Sequence, residues 1–164
     1  MDGPFSEFLR ANELYARDFR LAGLDARAAR KLAVLTCFDS RIEPLAMLGL
    51  APGDATIMRN AGARVTDDVL RGLVLSRHLL DVERLMIVAH TMCRLTAASD
   101  DAVRASIRDA GGPDTSELEF LSTPAPETAL VADVERVRSS PYLAGLEIGG
   151  LLYDVETGRL RQIC

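Results

Sequence analysis

Across 164 residues, 48% of them hydrophobic, the chain carries 19 Lys and Arg against 24 Asp and Glu, for a formal net charge of -5. That length supplies one hydrophobic core and not two ordinary ones, so a single domain over 1–164 is expected. No dense basic cluster marks a nucleic-acid partner, and neither an apolar leader nor a run of about 18 apolar residues marks export or a membrane span.

In chain order, the segment from Pro4 to Phe19 spaces Phe5, Phe8, Leu9, Leu14, Tyr15 and Phe19 at mixed three- and four-residue intervals. This predicts an amphipathic helix. Its aromatics need a surface to cover, so residues 1–30 read either as an N-terminal helical arm lying on a partner subunit or around the domain, or as an ordinary core helix. A regular alternation follows: a strand over 32–37, a short helix near Pro44–Leu48, and a strand over 55–60 after the turn Pro52-Gly53-Asp54. A helix is predicted from Asp67 to Leu80, with Thr66 as N-cap and Asp67 and Asp68 in its first turn, where the helix dipole favours negative charge. A strand over 84–90 comes next, then a helix near Asp100–Ala110, the breakers Pro124 and Pro126, and a helix from Pro126 that ends at Ser139-Ser140-Pro141. Gly145–Tyr153 and Arg159–Ile163, joined by a turn over 154–158, complete the chain. Continuously apolar strands separated by helices predict an α/β fold with a mainly parallel sheet, helices on both faces and an antiparallel edge strand.

Cys37 ends the first strand, His90 ends the third, and Cys93 follows in an H-x-x-C pair. Three cysteines do not make a disulfide framework. In a chain that reads as cytoplasmic, a Cys/His spacing points to a metal instead, while Cys164 reads as a spare thiol. Two thiolates and one imidazole suit tetrahedral zinc with one position open, better than iron or copper. For Cys37 and His90 to share an ion, the first and third strands must be neighbours with aligned carboxyl ends. That gives the order 2-1-3-4 and puts the metal at the switch point of the sheet. Asp39 and Arg41, two and four residues past Cys37, are spaced to pair with each other. The carboxylate either accepts a hydrogen bond from a water on the metal or becomes its fourth ligand, and an ordinary surface ion pair is the plain alternative.

The blocks C-F-D-S-R at 37–41, R-N-A-G-A-R-V-T-D-D at 59–68, H-T-M-C at 90–93 and Y-D-V-E-T-G-R-L at 153–160 together resemble the β-class carbonic anhydrases, particularly the short forms. The resemblance implies one Zn2+ per chain on Cys37, His90 and Cys93, and reversible hydration of carbon dioxide to bicarbonate and a proton by attack of zinc-bound hydroxide. It makes Asp39 and Arg41 the catalytic dyad and sets Gly62 and Ala63 against the substrate. It also implies a homodimer or a tetramer of dimers with pockets at the subunit interface. Two alternatives share the site: a carbonyl sulfide or carbon disulfide hydrolase, and a non-catalytic zinc- or bicarbonate-binding protein in which Asp39 closes the metal. The chain departs from the family pattern at Met92 and Arg94, where Asp and Gly are common, and at Ala63, where a second glycine is common. His78 is the one histidine left to shuttle protons; buffer or water is expected to serve instead.

Overall fold

The computed structural model describes residues 3–95 and 98–164. Its elements are α1 (Ser6–Arg17), β1 (Leu32–Cys37), α2 (Pro44–Met47), β2 (Ala55–Asn60), α3 (Asp67–Leu79), β3 (Arg84–His90), α4 (Asp100–Asp109), α5 (Pro126–Arg138), β4 (Glu147–Tyr153) and β5 (Leu160–Gln162). The sheet order is β2-β1-β3-β4-β5. The first four strands are parallel, and β5 pairs antiparallel with β4. The predicted order and antiparallel edge are therefore present; the limits of β1, β2 and β3 are as predicted, and those of the other elements differ by no more than two residues.

β1 is buried along its whole length, which its run Leu-Ala-Val-Leu-Thr-Cys requires of a strand covered on both faces. One face packs Ala33, Leu35, Leu85 and Ile87 against Val69 and Leu73 of α3 and Leu130, Val134 and Val137 of α5. Thr66 caps α3 by accepting from the Val69 amide at 3.3 Å. α5 approaches β4 closely at Gly150, where a Cβ would meet Leu130 and Val134 side-chain atoms at 3.1 Å and the Cys164 sulfur at 2.7 Å.

The other face is covered more thinly. Leu32, Val34 and Val88 lie under Met47 of the four-residue α2, under Leu48 that caps it and under Leu50, with Ile57, Met86, Leu151 and Leu160 only half-buried. α1 buries none of its residues. It does not behave as a core helix of its own chain.

Candidate metal centre

Parallel pairing of β1 with β3 places their carboxyl ends side by side, and the centre forms there. Cys37 is the last residue of β1, His90 the last of β3, and Cys93 lies in the turn that follows; all three are buried, and their ligand atoms lie within 4.8 Å of one another. No disulfide forms between them. The strand ends thus bring together all three residues that the sequence singled out.

The imidazole is oriented for ligation. His90 Nδ1 lies 2.9 Å from the Thr91 carbonyl oxygen, which only accepts, so Nδ1 carries the proton. Nε2 is left as an acceptor, buried and without a hydrogen-bond partner. An orphaned buried nitrogen is costly unless something binds it. The Thr91 loop is itself fixed to β4 and the turn after it, through Thr91 N donating to Tyr153 O at 2.9 Å and Val155 N donating to Thr91 Oγ1 at 3.2 Å.

The Cys37 thiol is lowered from 9.0 to about 4 by its hydrogen bond to Cys93, against burial that pushes it up, with help from His90 and from the amides of Gly62 and Asp39. The Gly62 N–H donates to its sulfur at 3.3 Å. Gly62 reaches that position with φ +73°, in the left-handed region that suits glycine. A thiolate beside an unprotonated imidazole nitrogen is the donor set zinc takes. The residues fit that ion.

Asp39 and Arg41 form the dyad expected from their spacing. Asp39 Oδ1 accepts from the Arg41 amide at 3.0 Å and from its Nε at 2.9 Å, and Oδ2 accepts from a terminal guanidinium nitrogen at 2.8 Å. These bonds, the side-chain ones first, hold the Asp39 carboxyl far below the usual carboxylate range. Its Oδ2 lies 4.0 Å from His90 Nε2, so the dyad borders the donor cluster. Arg41 also donates to the Met92 carbonyl at 3.2 Å, which ties the dyad to the loop bearing Cys93. Met92 is exposed with φ +55°, and Arg94 is exposed just past Cys93.

Gly62 and Ala63 line a cavity of about 20 Å³ that also touches His90 and Cys93. Ala63 is buried and has φ +58°. His78 lies elsewhere: it is exposed in the last turn of α3, with Nε2 2.8 Å from the Tyr142 carbonyl. Along a helix rising 1.5 Å per residue, it stands roughly 16 Å beyond the α3 start that follows the centre.

Three contributions were not anticipated. Arg59 Nε donates to Cys37 O at 3.0 Å, and its terminal nitrogen donates to Asp39 O at 2.8 Å, bridging the main chain on both sides of Phe38. Asn60 closes the turn over 60–64, accepting from Arg64 N at 3.0 Å and donating to Arg64 O at 2.7 Å. Arg64 pairs with the buried Asp133 of α5 at 2.6 Å. Arg59 and Asn60 stand in the R-N-A-G block, where their residue types carry no sign of these roles. Asp133 was detectable as an acidic residue among Leu130, Val134 and Val137 on an otherwise apolar helix face.

Comparison with known proteins agrees with this geometry. The carbonic anhydrase family model matches residues 32–112. The Beta-carbonic anhydrase 1 of Mycobacterium tuberculosis is 31% identical over 164 residues, covering 96% of each chain. The chain belongs to the β-carbonic anhydrase family. Among solved structures, the carbonic anhydrase from Streptococcus mutans superposes with a TM-score of 0.91 at 33% identity, covering 100% of this chain and 99% of that one. A carbon disulfide hydrolase of Acidianus is also similar to this chain, 31% identical over 157 residues with 81% of this chain and 77% of the relative covered.

Proposed function

We propose that this chain catalyses the reversible hydration of carbon dioxide to bicarbonate and a proton, with one zinc ion held by Cys37, His90 and Cys93 and with Asp39 and Arg41 as the dyad beside it. The observation that carries the reading is the buried, unpartnered His90 Nε2 among two thiols, bordered by a carboxylate already committed to a guanidinium. Zinc bound there supplies the Lewis acidity that lets a water give up its proton near neutral pH. The chain's own groups do the rest. Asp39, an acceptor at neutral pH, orients the attacking water by taking its hydrogen bond. Arg41 fixes the direction of that carboxylate and keeps it off the metal. The His90 Nδ1–H bond to the Thr91 carbonyl holds the ring in its ligating tautomer, and the Gly62 amide supports the Cys37 thiolate. Gly62 and Ala63 form the wall against which the substrate lies.

Stopped-flow hydration of carbon dioxide on zinc-replete protein tests the reading. The expected result is rapid turnover that rises with pH, about one zinc per chain, and loss of that zinc in Cys37→Ser with the fold retained. A zinc-replete protein without hydration activity at any pH overturns it.

A second reading on the same centre, hydrolysis of carbonyl sulfide or carbon disulfide, is favoured by the relatives named carbon disulfide hydrolase. The reading extends to assembly: the exposed apolar side chains of α1 and the thin cover over one sheet face support a homodimer, or a tetramer of dimers, in which residues 1–30 reach a partner copy across a single 1–164 domain. Three cysteines outside disulfides support a reducing, cytoplasmic setting. No helix among the described residues is long and apolar enough to cross a membrane.

A further inference from the structure

The turn between β2 and α3 is held from outside as well as from within. Inside it, Gly62 aims its N–H at the Cys37 sulfur at 3.3 Å, through two successive positive φ angles, +73° at Gly62 and +58° at Ala63. A non-glycine residue persists in that region where its surroundings over-determine it. Those surroundings converge on Arg64. The Asn60 side chain ties both of its main-chain groups. Its guanidinium donates to Asp133 Oδ2 at 2.6 Å and to the Leu121 carbonyl at 2.5 Å. One turn further along α5, Arg136 donates to the Val65 carbonyl and to Asp67 Oδ1, so α5 grips residues 64–67 at two points. That helix is a firm anchor, because its Leu130, Val134 and Val137 are buried against the sheet.

The Leu121 contact leads to the other thiol. Two residues later, Thr123 N donates to the Leu95 carbonyl at 3.1 Å, and the Leu95 side chain packs with Cys37, Ile42 and Cys93. A Cβ on Gly62 would meet Leu95 at 3.5 Å, so the two loops touch beside the centre. Arg64 and Asp133 also line the small cavity that reaches His90 and Cys93. Asp133 is 4% exposed, and a buried ion pair adds little to stability that an apolar pair of similar volume would not supply. What an apolar pair lacks is direction. A planar guanidinium holds a carboxylate and a carbonyl at fixed angles. We propose that Arg64 and Asp133 are positioning residues for the metal centre: α5, through Asp133, fixes the arginine that sets the Gly62 amide on the Cys37 sulfur, and the same guanidinium restrains the chain that packs beside Cys93. The inference rests on the zinc reading above.

The test compares wild type with the apolar exchange Arg64→Met/Asp133→Leu and with Arg64→Lys. Three quantities are read: amide hydrogen exchange of Gly62 and of Leu35 in the metal-free proteins, their melting temperature, and zinc affinity by competition with a chelator. Leu35, in the middle of β1 and paired on both sides, reports the stability of the sheet. In the apolar exchange the melting temperature and Leu35 should stay close to wild type, Gly62 should exchange about tenfold faster or more, and zinc should bind about 10- to 100-fold more weakly. Arg64→Lys keeps a cation opposite Asp133 and so folds even where the apolar pair packs poorly. Its ammonium does not hold Asp133 and the Leu121 carbonyl together, so Gly62 exchange and zinc affinity should shift in the same directions by less. Variants that match wild type in both quantities overturn the proposal. So does faster exchange by one common factor at Gly62 and Leu35, which would assign the pair to stability alone. Wild type that binds zinc while the variants bind it equally well, with Gly62 unmoved, defeats this inference and leaves the zinc reading standing. Wild type that takes up no zinc defeats the zinc reading and this inference with it.

Discussion

Asp39 is held at both ends of the residue: its carboxylate by Arg41 and its carbonyl by Arg59. The Arg41 pair is part-exposed, 44% and 18% for the two side chains, so solvent screens it and its worth to stability is small. Direction is what it supplies, through a two-point fork that a single-point cation does not reproduce. Arg41→Ala should therefore lower carbon dioxide hydration by about 10²-fold, the scale of a misplaced reacting group, with little change in melting temperature, as stopped-flow and calorimetry on one preparation would show. Because the pair holds the Asp39 carboxyl far below its ordinary range, Asp39 stays ionised wherever the enzyme works, and the fall in activity toward acid belongs to another group. Cys37 makes the complementary case. Its thiol sits near 4 in the folded chain against 9.0 for an ordinary thiol. The folded metal-free chain therefore gains stability as pH rises from about 4 to about 9, keeps the full gain above that window, and loses it as pH falls through 4. Denaturant unfolding of metal-free wild type and Cys37→Ser across the window should show a gap that widens with pH. At this scale the sequence exposed Cys37, Asp39, Arg41, His90 and Cys93 because their residue types announce their chemistry. Arg59 stayed hidden because an arginine on an edge strand carries no sign of the carbonyls it reaches.

Among the elements, the neighbouring carboxyl ends of β1 and β3 create the centre, and β2 braces it from the outer side. Cys37 pairs in register with Asn60, so Arg59, one residue earlier on β2, lies beside the end of β1 and bridges the Cys37 and Asp39 carbonyls. Arg59→Ala frees two carbonyls that fix the spacing between a metal donor and the dyad. The expected outcome is a kcat about tenfold lower, zinc retained, and partial rescue by added guanidinium; Arg59→Lys should recover less than guanidinium does, since an ammonium does not present a planar fork. Full activity in Arg59→Ala would remove that role. The elements themselves were legible because hydrophobic period, Thr66 at an N-cap and Pro126 at a helix start are local signals. α5 illustrates the limit: its periodicity predicted the helix, while the ion pair from Asp133 to Arg64 depends on a contact across the fold.

On the scale of the whole molecule, the cover of the sheet is uneven, with α3 and α5 on one face and the short α2 on the other. Phe5, Phe8, Leu9, Leu14 and Tyr15 of the amino-terminal arm are between 56% and 68% exposed, an apolar surface that a lone chain would leave in water. If that surface lies on a second copy, replacing Phe5, Phe8 and Tyr15 with serine should shift wild-type dimer toward monomer in sedimentation velocity while the far-ultraviolet spectrum of the sheet domain is kept. Wild type that sediments as a monomer would defeat the assembly reading and leave the metal centre untouched. The sequence by itself determined the parallel sheet, its order and the donor residues, because strand periodicity and ligand chemistry are written in residue types and spacings. Only the tertiary structure decided that His90 Nε2 is buried without a partner, that Arg59 grips the loop after β1, and that the buried Ala63 lines a small cavity with His90 and Cys93. Those facts depend on which distant side chains the packed strands and helices bring within a few ångströms, and spacing along a chain does not encode that distance.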